Sequence, residues 1–188
     1  MRISQPLALT TLAAVAALTV AGCASESDDA PVDHSSHAEH AAHAEHDHPA
    51  DGGPAPAGIV EAADPTYPVG TEVTLTADHM PGMDGATATI SGAFDTTAYA
   101  VSYTPTDGGA PVTNHKWVVQ EELEGTDGKT LGAGDAAVMT ADHMAGMQGA
   151  EATIDSSTDE TVYMVDIDSP EMTMKRHKWV VESEIQPK

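Results

Sequence analysis

Cysteine is nearly missing from this chain, with Cys23 the only one in 188 residues. That excludes an intrachain disulfide and a thiolate metal cage, so packing must hold the fold and any metal must be met by other donors. Aromatic residues are scarce too, at one Phe, two Trp and four Tyr. Any core is therefore thin, and Trp117 and Trp179 supply much of its buried apolar area, at about 25 cal/mol per Å². Basic residues are few, 7 Lys and Arg against 30 Asp and Glu. Such a balance argues against nucleic acid and suits both solubility outside the cell and attraction of cations. No nucleophile–base pattern, nucleotide-binding loop or paired-carboxylate motif stands above the general acidity, so the sequence does not read as an enzyme.

What is present begins with a leader. Arg2 precedes an apolar stretch from Leu7 to Val20, followed by Val20-Ala21-Gly22-Cys23. The stretch is shorter than the ~20 residues that span a bilayer and carries polar interruptions. It reads as a lipoprotein signal peptide over residues 1–22, with Cys23 as the acylated first residue of an extracytoplasmic protein anchored to the membrane by lipid. Losing Arg2 leaves 6 basic against 30 acidic residues, a net charge of −24.

Residues 23–58 lack hydrophobic periodicity and are rich in Ala, Asp, Glu, Pro and Gly, the composition of a disordered linker. Within it His34, His37, His40, His43 and His46 recur every third residue, and His48 follows. A flexible chain can wrap imidazoles around an ion, and neutral imidazole suits copper, zinc and nickel. The plainer alternative is a polar tether. As a metal collector, the tail would accept Cu(II) or Zn.

An internal repeat organises the remainder. ADHMPGMDGATATI at residues 77–90 returns as ADHMAGMQGAEATI at residues 141–154, and HKWVV recurs at residues 115–119 and 177–181. Alternation of apolar residues at Val73 and Leu75, at Ala86, Ala88 and Ile90, and at Tyr99, Val101 and Tyr103 predicts short strands, with Trp117-Val118-Val119 a further one. The second copy repeats the pattern. The expected architecture is all-β: two tandem SH3-like barrels or rolls over residues 59–124 and 125–188.

The repeated phrase poses the chemical question. Pro81-Gly82 marks a turn, for which Gly146 serves in the second copy. Such a turn can bring His79, Met80 and Met83 to one ion, and His143, Met144 and Met147 to another. An imidazole with two thioethers is a soft set suited to Cu(I). The alternative is that Met fills gaps in the thin core. His115 and His177, two residues before each Trp, share a strand face with it if that segment is a strand, and are either packed or hydrogen-bonded there or serve as ligands.

The lipobox, the His-rich linker and two copies of ADHM.GM.GA.ATI with a following HKWVV resemble the YdhK family of bacterial lipoproteins. That resemblance implies an extracytoplasmic lipoprotein, some members of the family being associated with copper binding and tolerance. Arg176 stands where the first copy has Asn114, a departure just before HKWVV. Two functions are carried forward: copper capture outside the membrane through the His tail and the His/Met turns, and a structural module that binds cell-wall polymer or a protein. Cu(I) is the preferred ion for the turns.

Overall fold

A computed structural model describes residues 48–188. Cys23, the leader and His34 to His46 lie outside the described residues. Strand β1 (Val60–Glu61) leads into the first copy, which supplies β2 (Glu72–Leu75), β3 (Thr87–Asp95), β4 (Ala98–Tyr103), β5 (Val112–Val119) and β6 (Leu123–Glu124). The second copy supplies β7 (Ala136–Met139), β8 (Glu151–Thr158), β9 (Val162–Asp168), β10 (Thr173–Val181) and β11 (Ile185–Pro187). A short 3-10 turn, Gln120–Glu122 or Glu182–Glu184, joins the last two strands of each copy. The all-β architecture and the strand positions follow the alternation in the sequence.

The pairing of those strands does not follow the repeat. One sheet runs β10-β9-β3-β2-β11, with β1 on β3, and the other runs β5-β4-β8-β7-β6. Each sheet thus takes two strands from one copy and three from the other. β3 and β4 are joined through only Thr96 and Thr97, yet β3 pairs antiparallel with β9 and β4 with β8. Exchanging the copies maps one sheet onto the other. The repeat boundary at 124/125 is consequently a boundary in sequence, lying between the paired strands β6 and β7.

Three apolar clusters match this plan. Val73, Leu75, Ile90, Tyr163, Val165 and Ile167 fill the first sheet's core, and Tyr99, Val101, Met139 and Ile154 the second's. A third cluster joins Phe94, Trp117, Val119, Met164, Trp179 and Val181 from both. Phe94 and Trp179 meet edge to face with ring centroids 5.6 Å apart, the geometry that aromatic quadrupoles favour. The two Trp residues therefore serve as the sparse composition requires, within the cluster that takes residues from both sheets.

Because β8 needs β4 and β9 needs β3, a fragment of residues 125–188 should be unfolded as a monomer and should fold only as a homodimer that repeats the exchange. Its melting temperature should then rise with protein concentration, which circular dichroism across a dilution series checks. A concentration-independent melt by a monomer would show that one copy folds alone.

Candidate metal-binding site

The site is built from the end of one copy and the turns of the other. In the 3-10 turn after β5, the Glu122 carboxylate accepts its own copy's Val119 N–H at 3.2 Å. Its remaining capacity is taken by the second copy: Trp179 Nε1–H donates to Oε2 at 2.9 Å, and His143 Nε2 lies 2.8 Å from Oε1. Glu184 mirrors this, accepting Val181 N–H at 3.2 Å and Trp117 Nε1–H at 2.9 Å, with His79 Nε2 at 2.7 Å. Burial alone would raise the Glu122 carboxyl, but the charge and hydrogen bond of His143, with those from Trp179 and Val119, hold it below the usual range. Glu184 is held low against burial in the same way by His79, Trp117 and Val181. Since a carboxylate only accepts, each imidazole donates through Nε2, and a neutral ring then presents a lone pair at Nδ1. Nδ1 of both His79 and His143 is buried with no hydrogen-bond partner. A histidine oriented by a carboxylate with its other nitrogen open is the arrangement of a metal ligand.

The strand β5 carries His115 and β10 carries His177, each on the buried face beside its Trp. Their Nε2 atoms are also enclosed and unpartnered. The ring of His115 lies 6.2 Å from that of His143 and 6.5 Å from that of His48, and His48 lies 6.1 Å from His177. Burial first, then the neighbouring imidazoles, pushes His177 down to about 3 and His115 well below the ordinary histidine range. A half-open pocket of about 10 Å³ is lined by His48, His143, Met174, His177 and Lys178, room for about one water-sized sphere. An open cleft of about 440 Å³ adjoins it, lined by His48, Pro49, Asp142, His143, Met144 and Ala145. Among the described residues, no three His, Cys, Asp or Glu side chains already converge as an ion cage.

The structure divides the residues that the sequence singled out. The turns form as expected, with Met83 N–H on Met80 O and Met147 N–H on Met144 O, and with Gly82 and Gly146 at φ 81° and 74°. They direct Met83 and Met147 inward, where both are fully buried in the aliphatic clusters. These two thioethers are core, filling space that a chain poor in Phe leaves open. Met80 packs part-buried on the first cluster, and Met144 is buried at the cleft's edge. His79 and His143 reach the Glu184 and Glu122 carboxylates, and His143 lines the open cleft together with Met144. Of the tail, His48 falls within the described residues. Pattern reasoning missed Glu122 and Glu184, although an acidic residue seven positions after His115 and after His177 was there to be read.

The family described as "Protein of unknown function (DUF1541)" matches residues 69–120 and 133–182, which is most of both copies. The chain belongs to the DUF1541 family. Within it, "Uncharacterized protein YdhK" of Bacillus subtilis (strain 168) is 44% identical over 171 residues, covering 90% of this chain and 83% of the relative. The crystal structure of a DUF1541 family protein (ydhK) from that species superposes with a TM-score of 0.70 at 51% identity, covering 72% of this chain and 94% of that one. A solution NMR structure of the ydhK C-terminal domain gives 0.61 at 52% identity, covering 65% and 94%. Both are similar to this chain in its tandem-repeat, all-β fold.

Two outcomes follow for stability. Glu122→Ala strands the Trp179 and Val119 N–H groups and the His143 Nε2–H, and should cost about 1–3 kcal/mol, the scale for a buried hydrogen-bonding group left unsatisfied, read as a lowered urea midpoint. Glu184 is the more exposed, 13% against 5% for the two side chains, so Glu184→Ala should cost less. As for pH, His177 titrates at about 3 when folded and near 6.5 when unfolded. Below about 6.5 the unfolded chain binds protons that the folded chain refuses, so stability is level above that pH and declines towards 3. The lowered Glu122 and Glu184 extend the decline in the carboxylate range. The urea midpoint should fall between pH 7.5 and 5, and fall less in His177→Gln; a flat profile would contradict this.

Proposed function

We propose that this DUF1541 protein is an exported, lipid-anchored copper-binding protein that captures the ion outside the membrane and limits its passage inward. The leader and lipobox support the location, and the repeated tail histidines support collection of ions near the surface. The observation that carries the reading is the small pocket with His143, His177 and Met174 on its walls, where Nδ1 of His143 and Nε2 of His177 have no other partner. Elsewhere a buried, unpartnered imidazole nitrogen is a net cost.

The donor set favours copper. Imidazole alone suits copper, zinc and nickel, but an adjoining thioether selects Cu(I), and Zn(II) asks for four ligands in a tetrahedron. The 6.2 Å between the rings of His115 and His143 is about the separation of two imidazoles on opposite sides of one ion held at about 2.0–2.1 Å by each. With His177 and His115 neutral far below pH 7, protons compete little with metal there. The protein holds an ion and transforms nothing.

Competition against bathocuproine for Cu(I), using protein that begins at Ala24, tests this. Tight binding should survive replacement of His34, His37, His40, His43 and His46 by Ala. It should weaken by about tenfold or more in His143→Ala and His177→Ala, and stay unchanged in Met83→Leu and Met147→Leu. Undiminished binding by the His143→Ala/His177→Ala double variant would remove the buried site and confine the reading to the tail.

A further inference from the structure

Among the differences between the two copies, the one just before HKWVV, Asn114 against Arg176, comes with a contact of its own. Asn114 and Arg176 both adopt a left-handed backbone before HKW, at φ 51° and 49°. Asn takes that conformation readily and Arg does not. Asn114 N–H is satisfied within its own copy by Ser102 Oγ. The Arg176 N–H is likewise satisfied within its own copy, by Asp166 Oδ1 at 2.8 Å, but the Arg176 side chain also reaches the chain ahead of the β-domain, its Nε donating to Asp51 Oδ1 at 2.8 Å and its Nη2 to Oδ2. Around that pair the backbone is stitched to β10, with Lys175 N–H on Ala50 O and Gly52 N–H on Lys175 O, each at 2.9 Å. The approach is close enough that a Cβ at position 52 would lie 2.1 Å from Arg176 O, so only glycine fits.

This staple fixes His48, three residues earlier. The His48 ring lies 6.5 Å from that of His115 and 6.1 Å from that of His177, and it borders both the open cleft and the small void. Asp142 lines the same cleft, adding an acidic group at the outer side. The pairing belongs to the second copy, so the approach to the buried histidines is one-sided in an otherwise two-fold arrangement.

We propose that His48 is the loading ligand of the buried site: it takes Cu(I) at the cleft and passes it to His177 and His143, held in place by the Asp51–Arg176 staple. The step is a ligand exchange in which the nitrogen–copper bond to His48 breaks as that to His177 forms. No electron moves, and one imidazole nitrogen replaces another on the ion. The proposal rests on the metal reading above.

Stopped-flow transfer of Cu(I) from its bathocuproine complex, in the background with His34 to His46 replaced by Ala, separates the two. His48→Ala and Arg176→Asn should each slow loading by about tenfold while leaving equilibrium affinity nearly unchanged, whereas His177→Ala should lose affinity itself. Melting curves confirm that each variant is folded. Loading by His48→Ala at the parent rate would overturn the role of His48. So would an affinity loss as large as that of His177→Ala, which would make His48 a permanent ligand. If His177→Ala binds as the parent does, it is the metal reading of the void that fails, whatever His48 does.

Discussion

Two carboxylates hold this molecule together. Glu122 and Glu184 each gather one N–H from their own copy and two ring nitrogens from the other, so that each copy's strand end is tied to the other copy's turn and Trp. In a domain without disulfides and with few aromatics, such a node does what a larger core would do elsewhere: it fixes which strands lie against which. A buried carboxylate with all its acceptors used costs little, while one left short is expensive. The node therefore sets the geometry firmly, and the histidines inherit that precision as oriented rings with one nitrogen each turned away from the carboxylate.

Much of the fold was legible in the residues. Alternation at Val73 and Leu75, at Tyr99 to Tyr103 and at the Trp-Val-Val runs marked strands where strands occur, and the Gly82 and Gly146 turns formed where the phrase placed them. Partnership between strands was not legible. Period-two patterning records which face of a strand is buried but not which neighbour buries it, and two near-identical copies offer near-identical faces. The exchange of β3 and β4 to opposite sheets is a choice between pairings that local sequence scarcely distinguishes.

The site was legible in part for a related reason. His79 and His143 stood out through the repeated phrase, but the phrase put Met beside them, and spacing alone cannot tell an inward side chain from an outward one. The turn that was expected to gather Met83 with His79 sends them different ways, the thioether into the core and the imidazole to Glu184. His115 and His177 looked like packing partners of Trp, since nothing local shows that β5 and β10 bring them to His48. The Arg176 departure appeared as a blemish before the motif, and its contact lay 125 residues away at Asp51.

Strand exchange has a consequence for the history of the chain. Where duplicated modules fold separately, one is free to decay while the other keeps the task, and the pair drifts apart. Here a change at Trp117 deprives a glutamate in the opposite copy, and a change at His143 is felt at Glu122, so each half is under selection through its sister. Inheritance of this chain is thus inheritance of a matched pair, in which the phrase around His79 stays alike in both halves because neither half can be revised alone.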